Sequence, residues 1–148
     1  MRSLMTAFLL VVLMAGVAVA DGELVWRSHA EAMPEAAQQK KPVIIHFTAD
    51  WCSWCTKMKK QTYTDPAVAE FMRDDFVLAM VNSDENQLLS MYYGVQSLPT
   101  IWILDSEGGG ITKISGYRDA KAFVKYLEWV STDAYHTQGF EQFAASGS

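Results

Sequence analysis

The stretch VIIHFTADWCSWC, residues 43–55, decides how the rest of this sequence is interpreted. Residues 43–49 form an almost continuous apolar run rich in β-branched side chains, which predicts a central strand covered on both faces. The run leads directly into Cys52 and Cys55, the only two cysteines of the chain. From Cys52 to about Gln61 the residues favour a helix. The cysteine pair is therefore predicted to lie where a buried strand ends and a helix begins.

The composition indicates one folded domain and narrows the classes of partner. Of the 148 residues, 50% are hydrophobic and 20% are charged, which allows one ordinary core and excludes disorder as the main state. The formal net charge is −5 and no stretch gathers Lys and Arg into a basic patch, so nucleic acid is not expected as a partner. Two cysteines are too few for a disulfide-stapled scaffold or an all-cysteine zinc site.

The first twenty residues have the pattern of an export signal. Arg2 supplies a short positive start, residues 4–17 are almost unbroken apolar sequence, and residues 18–20 have the small-x-small shape of a signal peptidase site. Because the apolar stretch approaches the ~20 residues that span a bilayer, an uncleaved membrane anchor is the alternative. We expect cleavage and a periplasmic location, outside the reducing thiol pool of the cytosol.

The remaining sequence alternates strand and helix patterns. This order predicts an α/β fold with a central mixed β-sheet flanked by helices on both faces. Ser28 and Glu31 form a capping-box pattern, but Pro34 moves the predicted start of the first helix to near Met33. Further strands are predicted at residues 24–26, 76–81, 100–104 and 111–114, and further helices at residues 66–72, 85–93 and 119–130.

These patterns divide the chain into three parts. Residues 1–20 are the predicted signal peptide, and residues 21–131 hold all the predicted strands and helices of the domain. Residues 132–148 are polar and offer few apolar side chains, so we expect this tail to dock loosely or to be disordered.

The spacing of Cys52 and Cys55 defines their predicted chemistry. Two cysteines three positions apart at a helix start share one face and are close enough to form a small disulfide ring. Backbone N–H groups and the positive end of the helix dipole stabilise the Cys52 thiolate and lower its pKa. Cys55, one turn inward, is expected to be less exposed and less ionised. This asymmetry predicts that Cys52 is the nucleophile of mixed-disulfide exchange and that Cys55 resolves the mixed disulfide.

Several short motifs accompany the pair, namely KPV at 41–43, the continuous stretch from there to CTKM at 55–58, TDP at 64–66, LPT at 98–100 and GY at 116–117. These motifs resemble those of the thioredoxin superfamily. Within it they are most similar to the periplasmic thioredoxin-like proteins and the C-terminal domains of the DsbD electron-relay family. The resemblance covers about residues 24–131. It implies a thioredoxin-like fold, exchange with protein thiols and disulfides, and no bound cofactor.

The resemblance also implies how clients are bound. Pro99, with Leu98 before it, corresponds to the cis-proline that faces the active-site disulfide and presents backbone to an extended client chain. The alternative is an ordinary trans proline that introduces a strand. Trp51 and Trp54 are candidates for contacting the client. Trp54, between the sulfurs, is the stronger contact candidate, and Trp51 is expected to be partly structural.

His46 is where the sequence departs from the family pattern. Six residues before the first cysteine, thioredoxins usually carry a buried Asp that accepts the proton of the resolving cysteine. Our hypothesis is that neutral His46 takes this role or that, when charged, it favours the thiolate form. The alternative is a core histidine whose ring is satisfied by a hydrogen bond.

The predicted function is that of an exported thiol:disulfide oxidoreductase using Cys52 and Cys55. We expect a monomer that exchanges disulfides with proteins, with a membrane-bound thiol reductase as one candidate partner. Ser53 and Trp54 match neither the Pro-His of strong oxidants nor the Gly-Pro of thioredoxin. Because no histidine at position 54 stabilises the thiolate, the direction we favour is that of a reductant.

Two other function classes use the same residues. One is a copper(I)-binding module in which the two cysteines, with His46 or Met58, hold the ion, because soft thiolates suit copper(I). The other is a binding domain in which the disulfide is inert and structural. In an oxidoreductase Cys52 reacts with another protein, whereas in these two classes it does not.

Overall fold

A computed structural model describes residues 22–147, so the predicted signal peptide at residues 1–20 lies outside the described part of the chain. The five strands are β1 Trp26–Arg27, β2 Val43–Thr48, β3 Val77–Asn82, β4 Thr100–Leu104 and β5 Gly110–Ser115. They form one sheet in the order β1-β3-β2-β4-β5. β1, β3 and β2 are parallel, whereas β4 is antiparallel to both β2 and β5. The predicted mixed sheet is confirmed, and its central strand is the apolar run that precedes the cysteines.

Helices cover both faces of this sheet. They are α1 His29–Gln39, α2 Ser53–Lys57, α3 Pro66–Asp75, α4 Gln87–Tyr92, α5 Ala120–Ser131 and α6 Phe140–Ser146. A π-helical turn, Met58–Thr62, continues α2, and a short 3-10 turn, Ala134–His136, precedes α6. No helix within residues 22–147 has the length and apolar character needed to cross a membrane.

The core consists of two apolar layers separated by the sheet. Side chains of a strand alternate between its two faces, and every residue of β2 is buried, so β2 contributes to both layers. Ile44 lies in the layer formed with Met72 of α3 and Phe123 of α5. Ile45 lies in the other layer with Ala36 of α1. A strand buried on both faces explains why its sequence is continuously apolar rather than alternating.

The first helix begins earlier than the proline suggests. α1 starts at His29 with Ser28 as its N-cap, and the complete capping box with Glu31 is present. Pro34 therefore lies inside the helix, and our prediction of a start near Met33 is wrong. Pro34 and Ala30, whose carbonyl would have accepted the missing hydrogen bond, are both exposed, so water can satisfy that carbonyl.

The C-terminal segment packs on the domain. The Phe140 ring stacks on Tyr126 of α5 with ring centroids 3.5 Å apart. The indole N–H of Trp129 donates a hydrogen bond to the Gln138 carbonyl at 3.0 Å. We expected loose docking or disorder because the segment is polar. Its few aromatic side chains are sufficient to hold helix α6 against α5.

Candidate active site

The two cysteines lie at the carboxyl end of β2, where the chain turns into α2. They form a disulfide, with their Cα atoms 5.3 Å apart. Cys52 is the N-cap residue of α2, and its sulfur accepts a hydrogen bond from the backbone N–H of Cys55 at 3.2 Å. Strand and helix meet at the cysteines because the apolar run ends at Ala49 and Cys52 caps the helix that begins at Ser53. The predicted position of the pair is confirmed.

The environment of Cys52 favours its ionised form once the disulfide is reduced. An N–H group aimed at sulfur stabilises negative charge there, as does the positive end of the helix that continues from Ser53 to Thr62. Cys55 has no exposed surface, whereas Cys52 retains 4% of its surface in solvent. Cys52 is therefore the more accessible cysteine of the pair.

The loop before β4 packs against the cysteine pair. The Leu98–Pro99 peptide bond is cis, which agrees with the expectation from the family resemblance. Leu98 packs against the small cluster formed by Ala49, Cys52 and Cys55. Pro99 is itself buried. This loop is next to the sulfurs although more than forty residues separate it from them in sequence.

Two tryptophans provide exposed apolar surface beside the pair. Trp51 is 71% exposed and Trp54 is 54% exposed. The indole N–H of Trp51 donates to the Asp84 carboxylate at 2.9 Å, so one edge of the ring is held while its face stays in solvent. Trp54 lies 5.5 Å from the Tyr117 ring, measured between centroids. Large exposed aromatic rings held in place are typical of surfaces that bind another protein.

The Lys57 side chain contacts the rings of both Trp54 and Tyr117. Its ammonium group lies 4.9 Å from the Trp54 ring centroid and 4.8 Å from the Tyr117 ring centroid, within the range of cation–π attraction. Sequence reasoning missed Asp84 and the role of Lys57. For Tyr117 a signal was available, since it belongs to the Gly-Tyr motif of the family resemblance. Nothing in the sequence pattern indicates Asp84.

His46 is a buried residue of β2 with an unusual set of partners. Its Nδ1 lies 2.7 Å from the phenol oxygen of Tyr63, and its Nε2 is buried without a hydrogen-bond partner in the described residues. Burial, with a smaller contribution from the positive charge of Lys59, lowers the pKa of His46 to about 3. The ring is therefore uncharged near neutral pH. Of the two roles predicted for His46, only that of the neutral ring applies at this pH, and it stays a prediction.

The low pKa of His46 makes protein stability depend on pH. The unfolded chain takes up a proton near pH 6.5, whereas the folded chain does so near pH 3. Between these values the unfolded state binds more protons, so the free energy of unfolding rises with pH by up to about 1.4 kcal/mol per pH unit. The stabilisation is complete above pH 6.5 and is lost as the pH falls towards 3. His46→Gln is expected to lack this part of the slope.

The pH effect is measured by urea unfolding at intervals from pH 4 to pH 7. His136 is exposed and serves as the matched control, because His136→Gln removes a histidine side chain that is not buried. Equal slopes for the native protein and the His46→Gln variant would contradict a buried, uncharged His46.

Comparison with known proteins assigns the class. The family model described as a thioredoxin-like domain matches residues 29–131. The chain belongs to the thioredoxin-like family, and its Cys52–Cys55 pair is the C-x-x-C motif of a thiol:disulfide oxidoreductase. Thiol:disulfide interchange protein DsbD of Vibrio vulnificus is 35% identical over 102 residues, which cover 65% of this chain and 17% of that relative. The match therefore spans about a sixth of the relative's length.

Solved structures support the same class. The solution structure of a thioredoxin from Thermus thermophilus has 29% sequence identity and a TM-score of 0.68, covering 74% of this chain and 88% of that one. The C-terminal domain of Neisseria meningitidis DsbD in the reduced form has 29% identity and a TM-score of 0.57, covering 67% of this chain and 90% of that one. The resemblance to the thioredoxin superfamily and to DsbD C-terminal domains is confirmed.

The copper(I) alternative gains no support from the arrangement of side chains. Within residues 22–147 no group of three or more His, Cys, Asp or Glu side chains is placed to hold a metal ion. Nδ1 of His46, one of the additional ligands considered, is engaged with Tyr63. Met58, the other, is fully buried in the core layer that contains α3 and α5.

Proposed function

We propose that this protein is an exported, periplasmic reductant that passes two electrons from its cysteine pair to the disulfides of protein partners. Export is supported by the pattern of residues 1–20. The observation that carries the reaction is the hydrogen bond from the Cys55 N–H to the Cys52 sulfur at the start of a helix. This hydrogen bond would stabilise the negative charge of the Cys52 thiolate, and Cys52 is the partly accessible cysteine of the pair.

The proposed reaction has two exchange steps. The Cys52 thiolate attacks one sulfur of the client disulfide, forms a Cys52–client disulfide and releases the first client thiolate. Cys55 then loses its proton and attacks the Cys52 sulfur, which releases the second client thiolate and forms the Cys52–Cys55 disulfide. The client gains two electrons, and the cysteine pair loses two.

A thiol reductase must then restore the dithiol. We propose a membrane-bound partner for this step, acting on the monomeric protein. The Vibrio relative is named a thiol:disulfide interchange protein, which is consistent with transfer between successive dithiol pairs. The proposal for this chain rests on its own cysteine pair, because the match spans a small part of that relative.

Client contacts are proposed for the residues that border the sulfurs. Trp51 and Trp54 offer exposed aromatic faces, and Leu98 packs against the cysteine pair from the cis-proline loop that contains Pro99. An extended client chain would lie along this loop with its sulfur at Cys52. His46 is proposed to assist the resolving step in its uncharged form.

Trapping of a mixed disulfide tests the proposed function. Cys55→Ala removes the resolving sulfur, so the client is expected to remain covalently attached to Cys52. Attached proteins are isolated from periplasmic extracts under non-reducing conditions and identified by mass spectrometry. Cys52→Ala is the matched control and is expected to trap nothing. Equal capture by both variants, or capture by neither, would contradict the assignment of roles.

The reduction potential tests the proposed direction. The potential is obtained by equilibrating the protein with glutathione buffers and measuring the fraction of oxidised protein. Potentials of known relatives span roughly −120 to −270 mV, and a reductant is expected towards the more negative end. A value close to −120 mV would reverse the proposed direction while leaving the exchange chemistry intact.

A further inference from the structure

Exposed apolar side chains are concentrated in two neighbouring parts of this protein. Within residues 22–147, the large hydrophobic side chains that are exposed belong to the segment around the cysteines and to helix α4, with Val25 as the exception. Those of α4 are Leu88, Met91 and Tyr92, each at least 71% exposed. Single exposed apolar residues are common on soluble proteins, whereas several on one element are typical of a surface that binds another protein.

The two faces of α4 differ in their surroundings. Positions 88, 91 and 92 are three and four residues apart, so their side chains share one face of the helix. Leu89 and the C-cap residue Tyr93 pack against the core layer that contains Ile45. The Tyr92 ring meets the Tyr93 ring edge to face, with centroids 5.1 Å apart. The packed face fixes the helix, and the exposed face is therefore presented in a defined position.

Two contacts connect α4 with the cysteine pair. Trp51, the neighbour of Cys52, donates its indole N–H to Asp84, which lies three residues before the helix begins. Leu98 packs against the same core layer as Leu89 and also against the cluster that contains both cysteines. A protein bound at a specific site covers on the order of 800 Å² of its partner. A client whose sulfur reaches Cys52 is therefore expected to extend over α4.

Charge is unequal at the two ends of α4. Asp84 and Glu85 precede the helix and are exposed, and the helix itself contains no charged residue. At the other end the Lys113 ammonium group donates a hydrogen bond to the Gly94 carbonyl. The end of α4 that is connected to Trp51 is thus acidic. Lys or Arg side chains at the border of a client's apolar surface would be complementary to it.

We infer that the exposed face of α4 is a client-selecting part of the exchange surface. The client that fits it is a protein with an apolar surface next to its reactive disulfide and with Lys or Arg at the border of that surface. This inference deepens the proposed function and rests on it, because it concerns the client that reacts at Cys52. Leu88, Met91 and Tyr92 add contacts that a client bound only at the tryptophans and the cis-proline loop would not make.

A second copy of the chain and a lipid surface are less suitable occupants of this face. A second copy seated on α4 would lie beside Trp51 and hinder the approach of a client to Cys52. The negative headgroups of a membrane would be repelled by Asp84 and Glu85. Each of these occupants gives a distinct result in the experiment that follows.

Attachment at two points tests whether one client covers both Cys52 and α4. In the Cys55→Ala variant of the full chain, Met91 is replaced by photoreactive p-benzoylphenylalanine, and the protein is incubated with a periplasmic extract and illuminated. The client held by Cys52 is expected to be attached at position 91 as well, so that it remains attached after reduction. Position 25 is the matched control. Val25 is exposed and apolar but precedes β1, at the opposite end of the parallel strands from Cys52, so reduction is expected to release the client there.

Mass spectrometry then identifies the client peptide that is attached at position 91. We expect an apolar peptide with Lys or Arg nearby. Attachment of position 91 to a second copy of this chain, to lipid or to a peptide bordered by Asp or Glu would overturn the inference. Retention of the client by Cys52 with no attachment at position 91 would overturn it as well.

Polar substitutions measure how much α4 contributes to client binding. Leu88→Ser and Met91→Ser are combined in the Cys55→Ala variant, and the rate of client capture is divided by the rate of reaction with Ellman's reagent. Ellman's reagent is a small disulfide that reaches sulfur without covering α4. The ratio is expected to fall at least about tenfold, as for the loss of strong interface contacts. Val25→Ser in the same variant is the matched control, with a ratio expected to stay within about twofold.

An unchanged ratio in the double substitution, at an unchanged urea midpoint, would overturn the inference. Failure of the proposed function gives a different result. If Cys55→Ala captures no protein, or if the native protein reacts with Ellman's reagent no faster than an unstructured thiol, the proposed function fails and the inference fails with it. If capture persists and does not depend on α4, only the inference fails.

Discussion

Replacing Cys52 with Ser is expected to reduce protein disulfide exchange to the uncatalysed rate. A serine hydroxyl cannot form the Cys52–client disulfide, and Cys55 is fully buried and cannot substitute for it. The measurement is the reduction of insulin disulfides by the protein in the presence of excess dithiothreitol. This is the largest effect expected from any single substitution, because every step of the proposed exchange passes through the Cys52 sulfur.

Cys55→Ser is the matched control for this experiment. It keeps the nucleophile, so the variant is expected to react once with a disulfide reagent and then to stop at the mixed disulfide. A stoichiometric first reaction in Cys55→Ser, together with none in Cys52→Ser, separates the two roles. Full activity in Cys52→Ser would instead support the alternative of an inert structural disulfide.

Phe123→Ala is expected to lower the free energy of unfolding by about 3 to 5 kcal/mol, the usual cost of truncating a fully buried phenylalanine. The side chain lies in the core layer between the sheet and α5, and its ring is 5.7 Å from the Tyr63 ring, measured between centroids. Its removal leaves a cavity beside the residue that contacts His46. Urea unfolding at pH 7 measures the loss.

Lys121→Ala provides the comparison, because Lys121 is an exposed residue of the same helix and its truncation is expected to change the free energy of unfolding by less than about 0.5 kcal/mol. A loss below about 1 kcal/mol in Phe123→Ala would contradict the burial of this side chain.

Much of the fold could be predicted from local patterns. The run that forms β2, the cap at Asp65 before α3 and the turn before β5 each depend on residues close together in the sequence. The predicted start of α1 is wrong, because the capping box at Ser28 stabilises a helix start that leaves Pro34 inside the helix. The π-helical turn after Lys57 was missed, because no side-chain pattern distinguishes it from an α-helix.

In the candidate active site, too, some features could be predicted from local sequence and others could not. The cysteine spacing, the strand before it and the helix after it are local features, and they were sufficient to predict where the Cys52–Cys55 pair lies. The family resemblance added the cis-proline at Pro99, and pairing of β4 with β2 brings the loop before β4, with Leu98, to the cysteines. Without that resemblance, a cis and a trans Pro99 could not be distinguished.

The amino-acid sequence alone determined the redox pair, the class of fold and the residues that neighbour the sulfurs along the chain. The tertiary structure decided which side chains from distant parts of the chain contact the residues around the site. His46 contacts Tyr63 across 17 residues, and Trp51 donates to Asp84 across 33 residues. The physical reason is that hydrophobic periodicity and helix caps act over one or two turns, whereas the partner of a buried polar group is set by how complete strands and helices pack together.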